Sequence, residues 1–153
     1  MKKKLLLLGL FVCLLLTGCG GGGTKEAKTL DDFNKAGTNN GFTVVDNKAA
    51  YENVSYITGA MKASISGVDI EMIIYDTAET ANKVLEEQID NFVLLKSTGA
   101  SEKKTTGDNY KKYFLISNNY YMVTSRIDNT LVFSKTLLVN KEDVDKVLNE
   151  LGY

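Results

Sequence analysis

YITGAMKASI-SG-VDIEMIIY, residues 56–75, reads as a β-hairpin. Two runs rich in β-branched and apolar residues flank Ser66-Gly67, a two-residue turn whose glycine accepts positive φ. Pairing across that turn sets Ile57, Met61, Ala63 and Ile65 on one face with Val68, Ile70, Met72 and Ile74. Thr58, Lys62, Ser64, Asp69, Glu71 and Tyr75 fall on the other, with Lys62 opposite Glu71 as a cross-strand pair of opposite charge. The alternation predicts one core face and one solvated face.

Working outward, a long helix follows the hairpin. Asp76 with Glu79 three residues on fits a capping box, and Ala81, Val84, Leu85, Gln88, Ile89 and Phe92 recur at helical spacing. Strand-like runs over 102–106, 110–117, 120–127 and 131–139 come next, separated by Gly107-Asp108, Asn118-Asn119 and Asp128-Asn129, residue types that favour tight turns. Asn140 opens a last helix carrying Val144, Val147, Leu148 and Leu151 on one side, closed by Gly152. Before the hairpin, Thr29 caps a short helix with Leu30 and Phe33 on one face, ended by the Gly37–Gly41 stretch, and Phe42–Val45 is strand-like. The pattern predicts an α+β domain: an antiparallel sheet of about five to seven strands, largely a meander, with three helices, the long central and C-terminal ones packed on one face.

The segment 110–139 departs from simple alternation. Tyr113, Leu115, Tyr120, Met122 and Arg126 fall on one face, continued by Leu131, Phe133 and Leu137. Tyr110, Phe114, Ile116, Tyr121, Val123 and Ile127 fall on the other, continued by Val132 and Leu138. With both faces semi-apolar, either this half of the sheet is covered on two sides or one face is an exposed aromatic surface. Tyrosine and arginine are enriched in interface anchors, and Arg126 is the single arginine of the chain. Tyr113, Tyr120, Met122 and Arg126 are therefore the candidate partner-binding residues.

The N-terminus gives the address. Lys2, Lys3 and Lys4 precede an apolar run from Leu5 to Leu16 interrupted only by Gly9 and Cys13. A basic segment followed by a short apolar one is the pattern of a secretory signal peptide, and the run is shorter than the roughly 20 residues needed to span a bilayer. Leu16-Thr17-Gly18-Cys19 resembles the lipobox of bacterial lipoproteins. That resemblance implies cleavage after residue 18, a diacylglyceryl group on Cys19, and a place on the outer face of a cell membrane. Residues 19–28, glycine-rich at the start, are then a linker, and 29–153 a single domain. The mature domain resembles the small lipoproteins of Gram-positive bacteria, although no motif within it assigns a family. Lysine-rich, arginine-poor composition agrees with a low-GC Gram-positive source.

Composition narrows the function. Removing Lys2, Lys3 and Lys4 leaves fifteen basic against nineteen acidic side chains, a net of −4. That sign disfavours nucleic acid and anionic lipid as partners. The chain has no histidine, and both cysteines lie in the first 19 residues. A histidine-based triad or metal centre and a downstream thiol nucleophile are thereby excluded from the domain. No cofactor motif is present. One weak catalytic pattern remains: Asp69 and Glu71, two apart on one strand face and about 7 Å between side-chain origins, a separation that paired-carboxylate hydrolases can use. The sequence thus favours a membrane-anchored, non-catalytic module that binds an envelope protein, peptide or glycan. The alternative is an envelope hydrolase acting through Asp69 and Glu71.

Overall fold

The computed structural model of the chain describes residues 22–153. The segment expected to be a signal peptide, with Leu16, Thr17, Gly18 and Cys19, lies outside the described residues. The elements run α1 (Leu30–Asn39), β1 (Thr43–Asp46), a 3-10 turn (Lys48–Tyr51), β2 (Ile57–Ile65), β3 (Val68–Tyr75), α2 (Ala78–Val93), β4 (Ser101–Thr106), β5 (Tyr110–Ser117), β6 (Tyr120–Ile127), β7 (Thr130–Leu137) and α3 (Lys141–Leu151). The fold is α+β, with seven strands in one antiparallel sheet ordered β1-β2-β3-β7-β6-β5-β4. Two meanders, before and after α2, join where β3 pairs with β7.

Local chemistry sets most of the boundaries. Thr29 and Asp32 form a reciprocal capping box at the start of α1. Thr77, not Asp76, caps α2, its hydroxyl accepting from the Thr80 N–H at 3.1 Å. Asn140 stands at the N-cap of α3 without a side-chain cap, and its amide donates to Thr136. The tight hairpins place Ser66, Asn118, Asn119 and Asp128 at positive φ alongside Gly67. Asn and Asp tolerate that region through local hydrogen bonding, and the left-handed two-residue turn matches the twist of the flanking strands.

The placement of the helices departs from the expectation of central and C-terminal helices together on one face. α1 and α3 share one face, where Phe33, Ala36, Val144, Val147, Leu148 and Leu151 meet Ala63, Ile70, Met72, Tyr121, Val123 and Val132. α2 lies on the other, where Ala81, Leu85, Ile89 and Phe92 meet Ile73, Tyr75, Tyr113, Leu115, Met122 and Leu131. The supposedly solvated hairpin face stays exposed or half-exposed at Thr58, Lys62, Ser64, Asp69 and Glu71, whereas Ile73 and Tyr75 are buried beneath α2. A register shift between Ile57 and Gly59 turns Ile57 to the α2 side, so it leaves the face that strict alternation assigns it. Gly59 sits at that shift because Leu30 of α1 comes so close that a Cβ would lie 2.9 Å from its Cδ1.

Residues 23–28 are a strap rather than a free linker. The side-chain amide of Asn109 accepts from the Lys25 N–H at 2.9 Å and donates to the Lys25 carbonyl at 2.7 Å. The Gly23 carbonyl accepts from the Asp108 N–H, and the Lys25 ammonium reaches the Gly152 carbonyl while lying over the Tyr110 ring. Ala27 packs against the α1–α3 core. No local pattern signals this strap, because its partners lie more than 80 residues away.

Each face has its own core, so truncating a buried side chain under either should destabilise the whole domain. Leu85→Ala, under α2, and Leu148→Ala, under α3, are each expected to lower unfolding free energy by about 2–5 kcal/mol, read by urea denaturation. A loss below about 1 kcal/mol for Leu85→Ala would mean that α2 is not a structural layer.

Candidate functional site

The four residues singled out in the meander do not form one surface. Tyr113 is 4 % exposed and Met122 1 %, both beneath α2. The Tyr113 hydroxyl donates to Glu102 at 2.6 Å; burial, and then that carboxylate, raise the phenol above its ordinary value. Arg126 is half-buried six residues along β6 from Tyr120, about 20 Å away. Its guanidinium donates to the Asp128 carbonyl at 2.8 Å, and its Nε is buried without a partner among the described residues. Tyr120 alone is exposed, at 41 %. The face assignment from the sequence is right; α2 covers that face.

Tyr120 belongs instead to an apolar end of the sheet. It pairs with Leu137 across β6 and β7, beside the Asn118-Asn119 turn. The chain leaving α2 arrives at the same place: the Leu95 carbonyl accepts from the Ser117 hydroxyl, which also accepts from the Ser97 N–H. Leu95, Tyr120 and Met122 line a shallow depression of about 140 Å³ with Ser117, Asn118 and Lys135. Leu94 is 82 % exposed and Val139 80 %, with Val93, Leu95 and Leu137 also exposed. Among the described residues, six of the eight exposed large hydrophobics gather at this end. Monomeric soluble proteins rarely leave a contiguous apolar patch of this kind without a use. A local signal for it exists in the sequence: Leu95, three residues after Phe92, continues the α2 stripe past the helix end.

The carboxylate pair is the second candidate. Asp69 and Glu71 line a cleft of about 380 Å³ between the hairpin and α2, with Gln88, Phe92 and Phe133 among its walls. Register pairs Lys62 with Glu71 as expected, yet the Lys62 ammonium pairs with Asp69 at 2.8 Å. The Ser64 hydroxyl also donates to Asp69, at 2.6 Å. Partial burial pushes the Asp69 carboxyl up, but the hydrogen bonds from Lys62 and Ser64 and the lysine charge outweigh it and hold the group below its ordinary value. Glu71 accepts from the Tyr51 hydroxyl at 2.8 Å and from the Asn47 amide. A general acid needs a carboxyl that keeps its proton near neutral pH, and Asp69 is shifted the opposite way.

Among the described residues, no helix is long and apolar enough to cross a membrane. Comparison with protein-family models gives no match, and comparison with curated proteins gives none either. Two solved structures resemble the chain. A GTP-binding regulator from Thermotoga maritima has a TM-score of 0.50 at 15% identity, over 84% of this chain and 90% of that one. The extracellular domain of PknH from Mycobacterium tuberculosis has a TM-score of 0.39 at 8% identity, over 82% and 92%. The first likeness is one of fold.

The Asp69 environment is testable by titration. Its carboxyl should titrate below 3.8, followed by NMR. The sign follows from linkage: with a folded value below the unfolded one, the contribution is present above 3.8 and lost as pH falls through the folded value. Asp69→Asn should therefore flatten the acid limb of the stability profile. A carboxyl titrating above neutral would instead revive Asp69 as an acid catalyst.

Proposed function

We propose that this chain is a lipid-anchored, extracytoplasmic protein that presents a non-catalytic docking surface for a protein partner close to a cell membrane. The observation that carries the docking surface is the apolar end built from Leu94, Leu95, Tyr120, Leu137 and Val139. Leu94, 82 % exposed, would gain about 1.5–3 kcal/mol on full burial, and the half-exposed Leu95 and Leu137 correspondingly less. Aliphatic side chains predominate over aromatic ones, which suits a protein surface better than a glycan. The anchor reading rests on the lipobox resemblance at Leu16-Thr17-Gly18-Cys19. Two acyl chains on one cysteine give stable attachment.

The strap sharpens the geometry of that proposal. With Gly23 bound beside Asp108, only four residue steps separate Cys19 from the folded surface, about 14 Å fully extended. The tether meets the sheet at the end carrying Asp108 and Asp128, whereas the apolar patch lies at the Asn118 end. An eight-residue strand separates the two ends by about 25 Å. A domain standing on its tether holds the patch outward, and its net of −4 gives no attraction to anionic lipid. The hydrolase alternative draws on the cleft at Asp69 and Glu71, and the Lys62 ion pair counts against it.

The two halves of the proposal are separable by experiment. Cys19→Ala should move the protein from the membrane fraction to the medium. Leu94→Glu with Leu137→Glu should leave fractionation and the melting temperature unchanged, while a partner crosslinked to the wild-type surface is recovered about tenfold less. An unaltered crosslinking pattern in that double variant would refute the docking surface. Loss of vesicle binding by the same variant would mean that the patch is a membrane contact.

A further inference from the structure

The cleft between the hairpin and α2 holds polar groups that the fold does not consume. Its charged lining is balanced, Lys62 and Lys135 against Asp69 and Glu71. Lys62 and Ser64 occupy both oxygens of the Asp69 carboxylate. Glu71 is engaged on one side only. Its Oε1 accepts from the Tyr51 hydroxyl and the Asn47 amide, and among the described residues no donor reaches its Oε2.

The last turns of α2 supply the opposite wall. Gln88 and Asn91, three residues apart, share one helix face. The Gln88 side-chain oxygen accepts from the Thr124 hydroxyl at 2.7 Å, which leaves its NH2 group to donate into the cleft. Asn91 is exposed, and its amide has no hydrogen-bond partner among the described residues. Lys135 stands where the cleft meets the depression beside Tyr120, its ammonium 5.6 Å from that ring and without a carboxylate partner among the described residues. Phe92 of α2 and Phe133, paired with Glu71 across β3 and β7, make the apolar part of the lining.

These unspent groups define a ligand class. An ionic ligand would meet as many charges of its own sign as of the opposite one. An acceptor at Glu71, donors at Gln88 and Lys135, and both at Asn91 match a ligand whose polar groups donate and accept alike. A hydroxyl does both, and a sugar ring carries several around its rim while its C–H faces lie well against aromatic rings. The volume, about 380 Å³, falls at the lower end of the roughly 300–1,000 Å³ of small-molecule sites, which suits a short saccharide. We propose that this cleft binds an uncharged saccharide, its ring against Phe92 and Phe133 and its hydroxyls shared among Glu71, Gln88, Asn91 and Lys135. Asp69, taken by Lys62 and Ser64, leaves the site to bind without cleaving. The inference rests on the cleft alone and holds whether or not the apolar end is a docking surface.

The test uses the full chain in an uncharged polyoxyethylene detergent, free of sugar headgroups, with glucose, N-acetylglucosamine, cellobiose and chitobiose as probes. NMR follows the side-chain amide signals of Gln88 and Asn91. Saturable shifts there are expected with at least one probe, and a dimer bound more tightly than its monomer marks a glycan chain, whereas equal affinity marks a free sugar. Asn91→Ala and Glu71→Gln should each weaken binding about tenfold, roughly 1.4 kcal/mol. Glu71→Gln keeps an oxygen for Tyr51 and Asn47, and alanine is the better helix former at the exposed position 91. Should Glu71→Gln fail to fold, Asn91→Ala carries the comparison. Asp90→Asn, beside Asn91 but outside the cleft, should leave binding unchanged. So should Leu94→Glu with Leu137→Glu, which separates this site from the docking surface. No saturable binding of any of the sugars, unaltered affinity in Asn91→Ala, or tighter binding of free lysine or leucine would overturn the saccharide site.

Discussion

The constraint on which this structure depends is the alternation of side chains along β3, β5, β6 and β7, where successive residues feed two separate cores. Ile70 and Met72 point toward α1 and α3, while Ile73 and Tyr75 point toward α2. In β6, Tyr121 and Val123 go one way and Met122 the other. Because side chains repeat every two residues, a slip of one would exchange both sets at once. The tight turns at Ser66-Gly67, Asn118-Asn119 and Asp128-Asn129 fix the register that keeps them apart. With no cysteine in the described residues, these two layers of packing hold the domain together.

Where the helices run out explains what remains exposed. α2 has 16 residues and spans about 24 Å, close to the length of the strands beneath it. It covers Tyr113 and Met122 fully and stops before the cross-strand pair of Tyr120 and Leu137. The chain then continues as Leu94-Leu95 at the same end, so the exposed ends of helix and sheet merge into one apolar patch. At the opposite end the strap over Lys25 and the Asn109 bracket occupy the ground that a free linker would leave open. The two ends of the sheet thus differ in character, one tied to the N-terminal segment and the other apolar and free.

Polar chemistry follows the same division. On the α2 face, Glu86 and Glu102 answer the lysines of β4, β5 and the loop before them. Such half-exposed pairs add little stability individually, and two carboxylates there serve three lysines. On the α3 face Asp143 is taken by Lys146, Asp145 by Lys141 and Tyr121, and Glu150 by the amides of Asn39 and Asn40. Lys112 is held by a main-chain oxygen of Tyr153, and Lys103 is left exposed.

The sequence by itself determined what depends on neighbours in the chain: the hairpins, the capping of α1, the α+β class, and which residues of 110–139 share a face. Period-two alternation and turn chemistry are local, so they are readable without coordinates. It could not determine which layer covers which face, because both faces of the meander were apolar enough to be core. Nor could it show the irregularity at Ile57–Gly59 or the strap at Lys25, each made by groups distant along the chain. Tertiary packing alone separated buried Tyr113 and Met122 from exposed Tyr120 and moved the candidate surface to Leu94, Leu95 and Leu137. Exposure and charge balance belong to a surface, and a surface exists only once the layers have met.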